Sequence, residues 1–199
     1  MESTILLLDN FDSFTYNLAD YLGQAGVQCT VLRNDVGLAE IQRSDYKGIV
    51  LSPGPGTPQQ AGCMREVIDY YHRKLPMLGI CLGHQALGEF FGAPVTKANR
   101  PMHGKISEVV TYPDALFVDI PERIRVVRYH SLVLQALPKP LECIAETADG
   151  EMMAFRHPSL PLRGVQFHPE AALTEYGLQM LKNWLSFHRL IPSEYHPFF

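Results

Sequence analysis

Positive charge is what this sequence has least to spare. Its 17 lysines and arginines fall short of its 21 acidic residues, leaving a formal net charge of −4. No basic stripe compensates, so the electrostatic footprint of a nucleic-acid-binding protein is missing. Cysteine is scarce as well. Cys29, Cys63, Cys81 and Cys143 lie far apart with no CxxC pair, which argues against a disulfide framework and against a zinc site. No apolar run is long enough to span a bilayer. The opening residues Met1-Glu2-Ser3-Thr4 have neither the basic region nor the cleavage site of a secretory signal, so a reducing cytoplasm is the expected compartment. Repeats, linkers and low-complexity segments are absent too. What remains is an ordinary globular composition, 46% hydrophobic and 19% charged over 199 residues. One domain spanning 1–199 with a substantial core is expected, its last stretch, 190–199, carrying no period.

In chain order the first half alternates strand-like and helix-like segments. Residues 4–8 form a short apolar run, and the polar loop 9–13 follows it. Phe14, Leu18, Leu22 and Ala25 then recur at helical spacing up to Gly26, the place of a C-cap glycine. Residues 27–32 read as a strand, 38–43 as a short helix and 48–51 as a buried strand. A helix over 61–73 leads into the apolar run before Cys81, and 82–91 has a helical pattern again. This order predicts an α/β fold: an open, mostly parallel sheet with helices on both faces. The second half reads differently, with short strands at 95–98, 107–111, 125–128, 142–147, 152–156 and 162–166. They predict a small antiparallel extension laid against the parallel sheet, not a separate domain. A last helix over 174–187 carries the stripe Tyr176, Met180, Leu181, Trp184 and Leu185, read as core.

One stretch organises the rest. Leu75-Pro76-Met77-Leu78-Gly79-Ile80 reads as a buried parallel strand, and it passes through Cys81 into a helix at Leu82. Gly79 and Gly83 flank Cys81 two residues to either side, the pattern of a nucleophile elbow with cysteine in place of serine. Such a turn pushes the central side chain outward and sets it at a helix N-terminus, where free N–H groups favour a thiolate. The alternative is a buried cysteine in a tight turn.

A cysteine nucleophile needs a base, a group to orient that base, and donors for an oxyanion. Of the eight histidines, His168 alone has a carboxylate placed to serve it, in Gln166-Phe167-His168-Pro169-Glu170. Pro169 disfavours helix at His168, and in an extended segment His168 and Glu170 share a face. His130 is the runner-up, without an acid at that spacing. His84, beside the nucleophile, reads as a packed or capping residue. The loop Ser52-Pro53-Gly54-Pro55-Gly56-Thr57-Pro58 is too rich in proline and glycine to be helical, and it can aim a backbone N–H at a fixed point. It lacks the lysine and hydroxyl of a phosphate loop. A stiff turn is its alternative reading.

Three stretches, Pro53-Gly54-Pro55-Gly56, Gly79-Ile80-Cys81-Leu82-Gly83-His84-Gln85 and Val165-Gln166-Phe167-His168-Pro169-Glu170, resemble the signatures of class I (triad) glutamine amidotransferases. Three more narrow the resemblance: Asp9-Asn10-Phe11-Asp12-Ser13-Phe14-Thr15-Tyr16-Asn17-Leu18, Met102-His103-Gly104-Lys105 and Arg128-Tyr129-His130-Ser131-Leu132. They are similar to the component II subunits of anthranilate synthase and aminodeoxychorismate synthase. The likeness runs from about Ile5 to Leu185, and it implies a flavodoxin-like sheet. It also implies that Cys81 attacks the side-chain amide of glutamine, that His168 protonates the departing ammonia and that Glu170 orients His168. By position, Gly54 and Leu82 match the family's oxyanion hole, and Gly56, Gln85, Ser131 and Leu132 its glutamine contacts. His103 and Lys105 match a partner-facing surface or else form an exposed polar turn. The implied partner is a chorismate-binding component I, in a heterodimer or heterotetramer, serving tryptophan or folate biosynthesis. No cofactor is implied in this chain, and Mg2+ is expected on the partner.

The sequence departs from the family at Ala171-Ala172, where a serine and a larger apolar residue commonly follow the glutamate. A hydroxyl that would support the triad or the partner contact is missing there. Rival readings are a stand-alone cysteine hydrolase of γ-glutamyl substrates, an amidotransferase subunit for another synthase, and a binding module with an idle cysteine. The loops at 9–13, 52–56, 103–105 and 129–132 are expected to lack internal constraint, so that a docked partner completes the site.

Overall fold

Residues 4–191 are described by the computed structural model. The chain opens with β1 (Thr4–Asp9), α1 (Thr15–Gln24), β2 (Gln28–Arg33), the single turn α2 (Leu38–Ile41) and β3 (Gly48–Leu51). It continues through α3 (Met64–Tyr71), β4 (Met77–Ile80) and α4 (Leu82–Phe90). Strands β5 (Val95–Lys97), β6 (Lys105–Thr111), β7 (Arg123–Arg128), β8 (Leu132–Leu134), β9 (Glu142–Thr147), β10 (Met152–Arg156) and β11 (Leu162–Val165) follow, and α5 (Gly177–Phe187) closes the series.

Nine of these strands form one sheet in the order β2-β1-β3-β4-β11-β10-β9-β6-β7. The run from β2 to β11 is parallel, and from β11 onward every pairing is antiparallel. The predicted architecture is therefore present, with one correction. The strand at 162–165 does not belong to the antiparallel extension: it lies beside β4 and parallel to it, with Val165 opposite Ile80. Its charged residue disguised it. Arg163 is buried in this strand because its guanidinium pairs with Asp114 at 2.7 Å, and a charge is tolerated in a sheet interior only when so paired. A strand without a sequence forecast, β8, forms a separate two-stranded ribbon with β5.

Both faces of the sheet are covered, as the alternation along β1 requires. Ile5 and Leu7 join a core with Leu18 and Leu22 of α1 and Leu181 and Trp184 of α5. Leu6 and Leu8 join the opposite core with Met64 and Val67 of α3 and Ala86 and Leu87 of α4. Two helices begin later than predicted. Gly62, at φ +52°, turns the chain just before α3, and Tyr176, at φ +59°, breaks it just before α5. Tyr176 is accordingly exposed and not part of the core stripe, whereas Met180, Leu181, Trp184 and Leu185 are buried as predicted. Leu190 and Ile191 are buried as well, and the rest of the predicted tail, 192–199, lies outside the described residues. Among the described residues no helix is long and apolar enough to cross a membrane.

The parallel strands give the molecule its working edge. β1, β3, β4 and β11 all end at the same side of the sheet, which is where ligands bind in such folds. Their exits are the loops beginning at Asn10, Ser52, Cys81 and Gln166.

Candidate active site

Cys81 stands between β4 and α4 with φ +50° and ψ −98°, a strained conformation for a residue with a Cβ. Its N–H is anchored on the Val165 carbonyl at 2.8 Å, and the helix that follows points its first N–H groups toward the edge of the sheet. The two flanking glycines make this turn possible by close approach. A Cβ on Gly79 would lie 2.5 Å from the Gly83 carbonyl, and one on Gly83 would lie 2.4 Å from the carbonyl oxygen of Leu51. Both obstacles are backbone, which cannot swing aside. Gly83→Ala is therefore expected to cost about 2–4 kcal/mol or to prevent folding, as overpacking against fixed atoms does. Chemical denaturation reads this directly, and a wild-type midpoint would refute it.

The three remaining cysteines are poor nucleophiles. Burial pushes the thiols of Cys29, Cys63 and Cys143 up, and all four cysteines are free. His168 Nδ1 lies 2.6 Å from Glu170 Oε1, and both side chains are buried. The route to this contact differs from the predicted one. β11 stops at Val165, and the chain bends and then turns through Pro169 and Glu170, so the acid is brought round by a turn and not by a shared extended face. Burial by itself would lower the imidazole's affinity for a proton. The Cys81 sulfur and the Glu170 carboxylate outweigh it and raise the His168 pKa to about 10. The ring is thus held protonated beside the sulfur; among the described residues its Nε2 has no hydrogen-bond partner of ordinary geometry.

His130 does not compete. Its Nε2 accepts from Arg128 Nε at 3.0 Å, and its Nδ1 lies 3.1 Å from the Leu132 carbonyl, so both nitrogens are engaged away from the sulfur. Burial and the neighbouring Arg128 charge lower its pKa to about 3, and Arg128 is itself paired with Glu151. His84 is a packing residue, as predicted. Its ring lies 4.9 Å from that of Phe155, neither nitrogen has a hydrogen-bond partner of ordinary geometry among the described residues, and burial lowers its pKa to about 3.

A cavity of about 130 Å3 adjoins the sulfur, lined by Cys81, Gln85, Gly54, Gly56, Tyr129 and the segment from His130 to Leu132. It is far smaller than the ~300–1,000 Å3 clefts that take drug-sized ligands, which suits a single small molecule. Gly54 is wedged between Asn10 and Leu82: a Cβ there would sit 2.5 Å from the Asn10 Cβ and 2.9 Å from Leu82 Cδ2. Gln85 donates from Nε2 to the Leu132 carbonyl at 2.9 Å and to Gln166 Oε1 at 3.1 Å. The carbonyl of Ser131 accepts from Ala98 N–H, so this residue and Leu132 spend their carbonyl oxygens inside the chain. His103 and Lys105 are exposed, some distance along the chain from the cavity wall, but a Cβ on Gly104 between them would lie 3.3 Å from the Tyr129 ring.

Two of the four loops expected to be loose are tied down. Asn10 N–H donates to Ser52 Oγ at 2.9 Å and its Nδ2 to the Ser52 carbonyl at 2.8 Å, while Asn34 Nδ2 donates to Asn10 Oδ1 at 2.9 Å. These buried bonds clamp the loop at 9–13 to the glycine-proline loop. The missing hydroxyl after Glu170 also has a substitute. Thr174 Oγ1 donates to the His168 carbonyl at 2.6 Å and accepts from Val127 N–H at 3.0 Å.

Several residues of this site escaped the sequence reading. Phe14 and Tyr129 set their rings 5.7 and 5.1 Å from that of His168 and fence it from solvent. Phe14 and Tyr129 stand within stretches that carry the resemblance, but neither is given a role at the histidine there. Asn10 and Thr174 act through backbone contacts that no spacing rule encodes. Gln166 puts its Nε2 3.6 Å from the Cys81 sulfur, from a position read only as part of the histidine's strand.

Comparison with known proteins adds an independent finding. Residues 6–186 match the family described as glutamine amidotransferase class-I. The chain is 42% identical to the aminodeoxychorismate/anthranilate synthase component 2 of Bacillus subtilis, over 93% of this chain and 97% of that protein. It is 47% identical to the aminodeoxychorismate synthase component 2 of Serratia marcescens, over 92% and 99% respectively. The crystal structure of a GMP synthase-like protein from Thermoplasma acidophilum superposes with a TM-score of 0.86 at 28% identity, covering 95% of each chain.

Proposed function

The chain belongs to the class I glutamine amidotransferase family, and we propose that it is the glutaminase subunit of a chorismate-using synthase, with Cys81, His168 and Glu170 as its triad. The observation that carries this reading is the buried His168, clasped by Glu170 at 2.6 Å, beside a cysteine on a strained elbow. In the proposed cycle the Cys81 thiolate attacks the side-chain amide carbon of glutamine. The oxyanion that forms is received by the N–H groups of Gly54 and Leu82, and Gly54 lies close against the Leu82 side chain. His168 passes its proton to the amide nitrogen, the C–N bond breaks, and ammonia leaves behind a γ-glutamyl thioester. Neutral His168 then takes a proton from water, whose oxygen attacks the thioester. Cleavage of the C–S bond returns the thiolate and releases glutamate, so protons balance over the cycle. Gly56, Gln85, Ser131 and Leu132 would surround the substrate, and ammonia would pass to the synthase. Cytoplasmic placement fits the four unpaired cysteines.

The choice of a chorismate-using partner follows relatedness: the component 2 proteins are 42% and 47% identical, against 28% for the GMP synthase-like chain. Partner docking also has a route to the cavity. His103 and Lys105 are exposed around Gly104, where a Cβ would lie 3.3 Å from the Tyr129 ring, and Met102 N–H donates to the His130 carbonyl at 2.9 Å. A contact at 103–105 would therefore reset Tyr129 and the cavity wall at 130–132, while the clamped loops at 9–13 and 52–56 stay put. The isolated chain is expected to hydrolyse glutamine about a hundredfold more slowly than the complex, the cost of reacting groups displaced by about 1 Å. Steady-state glutaminase assays of the chain alone, with component I, and with component I plus chorismate provide the test. Equal turnover in all three would exclude partner control and favour a stand-alone hydrolase.

A further inference from the structure

Gln166 is fully buried and its side-chain nitrogen lies 3.6 Å from the Cys81 sulfur. Which end of an amide faces a neighbour has to be settled by its partners. The chain of partners here begins at an unambiguous atom, the carbonyl oxygen of Leu132, which can only accept. The Gln85 atom 2.9 Å from it is therefore Nε2, and that same Nε2 also reaches Gln166 at 3.1 Å. The Gln166 atom receiving it must be the acceptor, Oε1. Its Nε2 is left aimed at the sulfur, with an N–H to give.

From this geometry we infer that Gln166 is a catalytic residue: its Nε2–H donates a hydrogen bond to the Cys81 sulfur, and Gln85 with the Leu132 carbonyl holds that donor in place. The inference rests on Cys81 being the nucleophile. A donor on a sulfur favours its charged form over the thiol. In a site fenced by Phe14 and Tyr129, this bond replaces hydration that the thiolate has lost. It serves the cycle at both ends, because the thiolate is the attacking group in the first half and the leaving group in the second. The same arrangement explains why Gln85, at the cavity wall, spends its Nε2 inside the chain.

The test is the rate at which a small neutral alkylating agent, chloroacetamide, modifies Cys81, followed on the Cys81-containing peptide by mass spectrometry from pH 5 to pH 10. Gln166→Met, unbranched and of similar length but without a donor, is expected to react roughly tenfold more slowly than wild type near pH 6, in line with loss of a hydrogen bond to a charged group. At pH 10 the difference should vanish or reverse, since a thiolate without its donor is the stronger nucleophile. A merely structural loss would slow the reaction at every pH. Should Gln166→Met fail to fold, Gln166→Glu keeps the shape, exchanges the donor for an acceptor, and is expected to displace the profile in the same direction. A folded variant with the wild-type profile overturns the proposal. Failure of the glutaminase reading shows separately, as a wild-type complex that uses ammonia but not glutamine.

Discussion

Cys81→Ser in the assembled synthase is expected to lower glutamine-dependent product formation by about three orders of magnitude or more, the scale on which loss of a triad member is felt. Synthesis from added ammonia should stay within about twofold of wild type, because that route bypasses the chemistry at Cys81. A serine hydroxyl fits the same elbow, so the φ of +50° is not newly strained and the fold should survive. What is lost is the nucleophile, since a hydroxyl gives up its proton far less readily than a thiol and attacks poorly without a base matched to it. Cys29→Ser and Cys143→Ser are the controls, both in positions where burial keeps the thiol protonated. Labelling by a glutamine-derived diazoketone should map to Cys81 alone. An adduct on another cysteine, or loss of the ammonia-dependent reaction in Cys81→Ser, would show that Cys81 is a structural residue.

His168→Ala should have a comparable effect, since it removes the acid of the first half-reaction and the base of the second. Glu170→Gln should be milder, about ten- to a hundredfold, because the ring remains but loses the carboxylate that orients it. His130→Ala separates the candidates: it leaves the buried Arg128 with one partner fewer and should weaken stability more than it weakens turnover. A catastrophic His130→Ala with a tolerated His168→Ala would reverse the assignment. A pH effect accompanies the pair. The folded-state pKa of His168, raised to about 10, stands above its ordinary 6.5, so the folded chain holds a proton there that the unfolded chain releases. The stability this contributes is fully present below about pH 6.5 and is lost as pH rises through about 10. Urea denaturation should show wild type ahead of Glu170→Gln at pH 6, with the gap closing toward pH 10. A constant gap would mean that the pair is not charged.

Much of this molecule is readable from local pattern. Apolar runs at 4–8 and 48–51 and the stripe of Leu18 and Leu22 predicted buried strands and a covering helix, because burial of one face imposes a period on the chain itself. The elbow was readable for a similar reason. Gly79 and Gly83 leave room for backbone 2.5 Å or less away, and only glycine can meet that demand, so the demand appears in the sequence. The pairing of His168 with Glu170 was readable as a spacing, although a turn and not a strand brings them together.

Contacts between distant segments left no such trace. Asn10 with Ser52, Thr174 with the Val127 N–H, and Gln85 with Gln166 join residues whose only local requirement is to be polar and able to hydrogen-bond. β11 took its place beside β4 because Asp114, from far along the chain, neutralised Arg163 and let a charged strand enter the interior. His130 could be set aside only once Arg128 and the Leu132 carbonyl were seen to hold both its nitrogens. Periodicity and steric exclusion act along the chain and therefore mark the residues themselves. Hydrogen-bond partnership and charge pairing act through space, and which donor meets which acceptor is decided when the loops of β1, β3, β4 and β11 converge on one edge of the sheet.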